Sequence, residues 1–314
     1  MEAKWLEDFL SLAETRSFSR AAHDRHLTQS ALSRRIAALE TWLGAKLIDR
    51  TVSPVRLTST GVMFRGQAAE ILRGIYAART LAHAHELVAD GVQVVRLSVV
   101  HTLLFTFLPQ RLRKLRDELG HIKAKVQAVN IPDGVQALVE GDTDLFLAYH
   151  HPQLPILLDA NRFPFLTLGT DKLIPVSATD ANGSAVYRLS GESREPIPFM
   201  AYAPGTFLGN VVEMLILNSV ETCGLRRTFE AHMSEAVKAM VVAGNGLGWL
   251  PASCIVRELQ EKSVAIAGAD SWATDLEIRI YRSSENQSTA AEELWSWMKK
   301  HASSAASPTS RPER

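Results

Sequence analysis

Four hydrogen-bonding side chains fall close together near residue 30, at Gln29, Ser30, Ser33 and Arg34. An amide side chain can bridge the acceptor and donor groups of adenine, and a guanidinium can reach guanine or a phosphate. Small residues such as serine let a backbone approach another molecule closely. If one helix presents these residues on one exposed face, their chemistry suits the reading of base edges in duplex DNA. An ordinary solvated helix is also polar outside, so the neighbouring elements must decide between these two interpretations.

Apolar spacing predicts this helix and the direction of its faces. Thr28 suits an N-cap and Gly44 suits a helix stop, and the stripe between them that faces the core consists of Leu32, Ile36, Leu39 and Leu43. The four polar residues then lie on the opposite face. Two helices precede it, the second with Ser19 as its expected cap, and their apolar residues are Trp5, Leu6, Phe9, Leu10, Ala13, Phe18, Ala21, Ala22 and Leu27. Two short helices joined by a tight turn are typical of a helix-turn-helix.

Positive charge is concentrated around this helix, although the whole chain is neutral with 34 basic and 34 acidic residues. Between Thr15 and Thr58 the chain has eight basic and three acidic residues, which gives a local net charge of +5. Such an island favours phosphate binding because neutralised phosphates release counterions. Pro54, between short β-prone pieces, predicts a hairpin wing over residues 49–58. We therefore predict a winged helix-turn-helix over residues 1–59 whose DNA contacts are Gln29, Ser30, Ser33, Arg34, Arg35, Arg50 and Arg56.

Residues 60–90 lack proline and have apolar residues at helical spacing, which predicts one long linker helix. A long amphipathic helix between two domains must cover its apolar face. We expect it to pair with the same helix of a second subunit, which gives a homodimer or a homotetramer. The alternative is that this helix packs only on its own chain.

Residues 91–302 alternate between strand and helix patterns, which predicts an α/β domain with a mainly parallel sheet. The expected strands cover residues 94–100, 123–129, 144–148, 173–176, 247–250 and 276–282. The sequence Gly244-Asn245-Gly246-Leu247-Gly248 precedes a strand and not a helix, so it does not suit the binding of a dinucleotide phosphate. Residues 303–314 are small and polar, which predicts a disordered tail.

The N-terminal region is similar to the signature of LysR-type transcriptional regulators. The matching residues are Phe9-Leu10, Ser17-Phe18-Ser19, Ala21-Ala22, Leu27-Thr28-Gln29-Ser30-Ala31-Leu32-Ser33, Ile36, Leu39-Glu40, Leu43-Gly44, Leu47, Arg50, Leu57-Thr58 and Gly61. The resemblance implies a dimerising linker helix and a two-lobed effector domain like that of periplasmic binding proteins. It also implies double-stranded promoter DNA and RNA polymerase as partners. One departure is Ser53, where most members of the family have a basic residue in the wing, so Arg56 is expected to take over that contact.

The resemblance also directs attention to the cleft between the two lobes as the site of a small-molecule effector. In such domains ligands lie where strands end, often against helix N-termini. The matching residues are His101, Thr102, Tyr149, Thr206 and Ser234. A plain capping role is the alternative for Thr102, and Ser234 followed by Glu235 resembles a helix N-cap with an acidic first turn.

Within the family, the chain resembles the hypochlorite-responsive regulators, through its opening residues, the Pro54 wing and Met233-Ser234-Glu235. This kinship implies a switch in which oxidation makes the side chain of Met233 polar. Leu208 stands where a second methionine is expected, and simple packing is the alternative for Met233. A thiol switch at Cys223 or Cys254 is a further option.

Other classes of function receive little support from the residues. We find no nucleophile elbow, phosphate-binding loop or metal-ligand cluster, so the sequence predicts neither an enzyme nor a bound cofactor or metal. A charged start in place of an apolar leader argues against export, and therefore against a solute-binding protein. The longest apolar stretch, 97–109, is too short for a membrane span. We expect a cytoplasmic location.

Overall fold

The structure, a computed structural model, describes residues 2–25, 27–52, 54–87, 93–189, 195–219, 223–285 and 288–302. The chain forms two compact units, Met1–His83 and Ala84–Arg314. The predicted tail at 303–314 and the predicted end of the linker at 88–90 lie outside the described residues.

The first unit is a small helical domain with a two-stranded hairpin. Its elements are α1 (Ala3–Thr15), α2 (Phe18–Asp24), α3 (Gln29–Leu43), β1 (Ile48–Asp49), β2 (Arg56–Leu57) and α4 (Ser59–Leu87). The apolar stripes of α1 and α3 meet in one core, and its fully buried side chains include Leu6, Phe9, Leu32, Ile36 and Leu39. The winged helix-turn-helix predicted from the sequence is confirmed.

Helix caps in this unit agree with the sequence at α3 but not at α2. The Thr28 hydroxyl accepts a hydrogen bond from the Ala31 amide at 3.2 Å, and Gly44 ends α3 with a φ of 69°. The prediction of Ser19 as the cap of α2 is wrong. Ser17 has the extended backbone of an N-cap, and its hydroxyl accepts from the Arg20 amide at 3.3 Å.

The long helix α4 begins one residue earlier than predicted, at Ser59. Its first turn lies against the end of the loop after α3. A Cβ atom on Gly61 would lie 2.1 Å from the Leu47 carbonyl oxygen, far inside any normal contact. Glycine is therefore required where α4 passes this loop.

The second unit is built on one large mixed sheet. Its strands are β3 (Gln93–Val100), β4 (Ile122–Val129), β5 (Leu145–His150), β6 (Phe165–Ala178), β7 (Ile197–Tyr202), β8 (Leu225–Ala231), β9 (Leu247–Pro251), β10 (Val264–Ile266) and β11 (Thr274–Arg282). Its helices are α5 (His101–Thr106), α6 (Leu108–Glu118), α7 (Ile131–Val139), α8 (Phe207–Asn218), α9 (Ser234–Val242), α10 (Val256–Gln260) and α11 (Thr289–Ala302). Two short 3₁₀ turns lie at Ala252–Ile255 and Asp270–Trp272.

The strand order in the sheet is β4-β3-β5-β11-β6-β9-β7-β8, with β10 paired to β6. One lobe holds the parallel strands β4, β3 and β5, and the other holds β9, β7 and β8, which are also parallel. The prediction of a mainly parallel sheet is wrong at its centre, because β11 and β6 run antiparallel to each other and to β5 and β9. These two strands connect the lobes, so the chain passes through the centre of the sheet in both directions.

Candidate nucleic-acid interface and ligand cleft

The first turns of α3 present a polar face to solvent. Gln29, Ser30 and Arg34 are exposed and Ser33 is half-buried, while Leu32 on the opposite face is fully buried. The predicted orientation of the helix is confirmed. The role of these side chains in binding DNA stays a prediction.

Neighbouring side chains hold this face in position. The Ser19 hydroxyl donates to Gln29 Oε1 at 3.1 Å, which links α2 to the start of α3. Arg50, just after β1, donates from Nη1 to the Ser33 hydroxyl at 3.2 Å, and its guanidinium lies 5.1 Å from the centre of the Phe18 ring. The wing and the recognition helix are therefore in direct contact.

Arg35 differs from the other predicted DNA contacts because its guanidinium is held by a buried carboxylate. Asp8 of α1 is fully buried, and its two oxygens accept from Arg25 Nε at 3.0 Å and Arg35 Nη1 at 3.2 Å. Arg25 also pairs with Glu7. One carboxylate thus fixes α2 and α3 to α1. The sequence did not reveal Asp8, since an acidic residue at a core-facing position of α1 was the only available signal.

A second buried carboxylate organises the start of the wing. Glu40 accepts from the amides of Leu47 and Ile48 at 2.9 and 3.1 Å, and Lys46 Nζ lies 3.2 Å from its other oxygen. Burial alone raises the pKa of Glu40, but the two amides and Lys46 outweigh it and lower that pKa below its ordinary value. Glu40 is therefore a carboxylate at neutral pH.

These pairs change the distribution of free positive charge. Arg25 and Arg35 are neutralised by acids of α1, whereas Arg20 and Arg34 form no ion pair within the part of the chain that the structure describes. Arg56 lies opposite Asp49 in the register of the hairpin. The basic surface of this unit therefore consists of fewer cations than the sequence count indicates.

The effector residues predicted in the second unit come together in part. The Thr102 hydroxyl lies 2.9 Å from the Ser234 hydroxyl, although 132 residues separate them in sequence. The Tyr202 hydroxyl lies 3.0 Å from the same Ser234 oxygen. Thr102 follows β3 in the first lobe, and Ser234 and Tyr202 belong to the second. We call this trio the interlobe bridge, and all three side chains are buried.

The capping roles considered for two of these residues are wrong. Val100, not Thr102, is the N-cap of α5, and Met233, not Ser234, is the N-cap of α9. The hydroxyls of Thr102 and Ser234 are instead used across the cleft. Thr206 does cap α8, because its hydroxyl accepts from the Gly209 amide at 3.2 Å, and it is not part of the bridge.

Tyr149 belongs to a neighbouring buried network centred on Asp171 of β6. Asp171 accepts from the Tyr149 hydroxyl at 2.7 Å, from the Ser253 hydroxyl at 2.5 Å and from the Lys172 amide at 2.9 Å. Burial, followed by the charge of Asp171, raises the pKa of Tyr149 well above its ordinary value. Asp171 and Ser253 were missed from the sequence, where a lone acid in a strand gave no periodic signal.

The remaining candidates lie near the bridge without joining it. His101 is half-buried at the first position of α5. Met233 precedes Ser234 and is 37% exposed, whereas Leu208 is buried. Burial, together with the nearby charge of Glu235, raises the pKa of the Cys254 thiol. This shift disfavours the thiolate that a redox-active cysteine requires.

Two kinds of feature are absent from the described residues. No three histidine, cysteine, aspartate or glutamate side chains there are grouped closely enough to hold a metal ion. No helix within those residues has the length and apolarity needed to cross a membrane.

Comparison with known proteins identifies both units. Residues 3–62 match the family model described as a bacterial regulatory helix-turn-helix protein of the lysR family, and residues 89–303 match the LysR substrate binding domain. The chain belongs to the LysR family. It is therefore a LysR-type DNA-binding transcriptional regulator with an effector-binding domain.

Several characterised LysR-type proteins are similar over nearly the full length. The transcriptional regulator YjiE of Escherichia coli is 28% identical over 295 residues, covering 94% of this chain and 93% of YjiE. Vibrio fischeri DarR, solved in complex with DNA, is 32% identical with a TM-score of 0.58, covering 95% of this chain and 98% of DarR. The hypochlorite-specific regulator HypT of Salmonella typhimurium is 28% identical with a TM-score of 0.60, covering 96% and 99%.

Proposed function

We propose that this LysR-type regulator reads two promoter half-sites as a dimer, with α3 of each subunit in the major groove. The observation that carries the proposal is the solvent-facing first turns of α3, where Ser19 of α2 holds Gln29 and Arg50 of the wing region holds Ser33. These hydrogen bonds restrict the side chains to few conformations, which base recognition requires. That DarR, a 32% identical protein, was solved in complex with DNA adds support.

Roles within the interface follow from side-chain chemistry. Gln29 suits adenine and Arg34 suits guanine, because each can form two hydrogen bonds to one base. Ser30 and Ser33 let the helix approach the base edges. Arg50 and Arg56 of the wing region serve phosphates, and Arg35 mainly holds α3 on Asp8.

A second copy of this chain is the proposed partner of α4. The described part of this helix exposes large apolar side chains, among them Met63 at 73%, Ile71 and Ile75. Exposed apolar residues along one helix favour pairing with another helix. A homodimer places two α3 helices on successive half-sites, and a homotetramer doubles this arrangement. Light scattering of Met63→Lys and Ile75→Lys variants should show dissociation, with the surface change Glu2→Lys as control.

The interlobe bridge is the proposed effector site. A ligand with hydrogen-bonding groups would replace the contact between Thr102 and Ser234 and so change the separation of the lobes. His101, Tyr149 and Thr206 are proposed to complete the cleft. The altered packing of sensing domains would change the spacing of the two DNA-binding units, and with it the contact with RNA polymerase at the promoter.

For the stimulus, we propose an oxidant, with hypochlorite as the candidate and Met233 as the sensing side chain. Met233 is exposed to solvent and directly precedes the bridge residue Ser234. Oxidation to the sulfoxide would introduce a polar group at the start of α9. The likeness to HypT, a hypochlorite-specific regulator, adds support. Leu208 has no thioether that could be oxidised, so Met233 acts without it.

A small organic anion between the lobes is the second candidate. It is favoured by the start of α9, because the N-cap residue Met233 supplies no side-chain hydrogen bond to the first turn. Thermal shifts with a panel of carboxylates separate the two stimuli. Under the oxidant proposal, hypochlorite alters promoter binding of the natural protein and not of Met233→Leu. Under the anion proposal, one carboxylate raises the melting temperature of both proteins equally.

Gel-shift titration tests the DNA-binding proposal. The probes are a duplex from the promoter region of the protein's own gene and a random duplex of equal length. Arg34→Ala should weaken binding to the promoter by about 1–3 kcal/mol if it reads a base. Equal losses on both duplexes would assign Arg34 to a phosphate instead. The control variant is Lys4→Ala, an exposed cation of α1.

A further inference from the structure

A pocket of about 260 Å³ lies in the first unit between the end of α1, the wing and the start of α4. Its apolar wall includes Leu12, Ile48 and Leu57, and three of its lining residues are arginines. These are Arg16, Arg56 and Arg65, and we call the site the triple-arginine pocket. Arg16 and Arg65 lie outside α3 and the wing.

The charges in this pocket are poorly balanced. Among the described residues that line it, none is acidic, and neither Arg16 nor Arg65 forms an ion pair. Arg56 has Asp49 opposite it in the hairpin, but the Asp49 carboxylate already accepts from the amide and hydroxyl of Thr51 at 2.9 and 2.6 Å. The positive charges of three arginine side chains that line one cavity favour the binding of an anion there.

The planar donors of arginine match phosphate oxygens better than any other side chain does. A backbone phosphate protrudes from duplex DNA, so a shallow basic pocket can receive it. The hairpin links the pocket to α3 through a series of contacts. Arg56 of β2 pairs with β1, and the residue directly after β1 is Arg50, which donates to Ser33 of α3.

We propose that the triple-arginine pocket binds a backbone phosphate of the DNA beside the site read by α3, with Arg16 and Arg65 as its additional contacts. This inference rests on the DNA binding proposed above. It extends the interface from the recognition helix and wing to the end of α1 and the first turns of α4. Contacts of this kind position the protein and carry no base preference.

The measurement is the salt dependence of DNA binding by the full chain. Each phosphate contact contributes about 0.9 to the slope of log affinity against log salt concentration. Because one phosphate is bound, the double variant Arg16→Gln with Arg65→Gln should lower that slope by up to about 0.9, equally on a promoter duplex and a random duplex. Affinity at 50 mM salt should fall on both duplexes by a similar factor. The exposed Lys4→Gln, outside the pocket, is the control and should leave the slope unchanged.

Two further outcomes would overturn the inference. In the first outcome, the natural protein binds DNA and the folded double variant has the same salt slope. The pocket would then not belong to the interface, although the protein still binds DNA. The other outcome has three parts: inorganic phosphate stabilises the natural protein saturably, the double variant loses this stabilisation, and the salt slopes of the two proteins on DNA are the same. In that case the pocket holds a free oxyanion and not a DNA phosphate. Circular dichroism melting confirms that each variant is folded. Failure of the natural protein to bind either duplex would instead contradict the proposed function itself.

Discussion

Replacing Asp8 by alanine tests how the recognition helix is held. Asp8 is fully buried and is the common acceptor for Arg25 of α2 and Arg35 of α3. Without this carboxylate, Arg35 loses its ion-pair partner and Arg25 keeps only Glu7, at the junction of three helices. We expect α3 to detach from α1 more readily, and promoter binding to weaken although no DNA contact has been changed.

The magnitude follows from the two hydrogen bonds. Each hydrogen bond to a charged group contributes about 1.5–3 kcal/mol. The side chains of Arg25 and Arg35 are 23% and 32% exposed, so both regain water when Asp8 is removed. Because of this partial exposure, the expected loss in the stability of the first unit is about 3 kcal/mol, near the lower limit for breaking a buried ion pair.

Native-state hydrogen exchange is the suitable assay, because it reports the opening of one segment in a chain with two units. Peptides covering 29–43 should exchange roughly 100-fold faster in Asp8→Ala, since 1.4 kcal/mol corresponds to a factor of ten. Peptides of the second unit should be unaffected. Asp24→Ala is the control, because Asp24 is exposed and pairs with the exposed His23. Unchanged protection of α3 in Asp8→Ala would refute the assigned role.

Three further predictions concern other positions. Ser234→Ala should leave two buried hydroxyls of the interlobe bridge without their partner and so lower the stability of the second unit by about 1–3 kcal/mol. Hydrogen exchange of α9 measures this loss, and exchange at the rate of the natural protein would contradict the bridge. Gly61→Ala should lower the melting temperature of the first unit, because its Cβ would overlap the Leu47 carbonyl; Gly66→Ala, with open space around it, should not. The pKa of Glu40 is lower in the folded than in the unfolded chain, so its contribution to stability is present at neutral pH. That contribution is lost as pH falls below the usual glutamate value of about 4.3 and through the folded pKa. A Glu40→Gln variant should lack this part of the acid dependence in thermal melts, and an identical pH profile would contradict the assignment.

The sequence predicted those features that depend on local periodicity and capping. The faces of α3, the Thr28 cap and the Gly44 stop follow from spacing alone, and the structure agrees. The cap of α2 could not be chosen reliably because Ser17 and Ser19 both flank Phe18. Only the extended backbone at Ser17 distinguishes the two.

Features that depend on residues far apart in the chain could not be predicted from the sequence. The carboxylate of Asp171 receives donors from Tyr149 and Ser253, in two distant parts of the chain, and the bridge joins residues 132 positions apart. Strand direction at the centre of the sheet was also missed, because a strand pattern is the same for parallel and antiparallel neighbours. The resemblance to the family located Thr102 and Ser234, and the structure showed that they bond to each other.

The central claim is that α3 of this LysR-type regulator reads DNA sequence. The most direct measurement is the affinity of the full chain for a promoter duplex and for a random duplex at one salt concentration, repeated with Arg34→Ala. We predict that the natural protein prefers the promoter by about 10³-fold or more. Arg34→Ala should lower this preference by about 1–3 kcal/mol, roughly 5- to 150-fold, while binding to random DNA changes little. Equal affinity of the natural protein for both duplexes, or an unchanged preference in the variant, would contradict the claim.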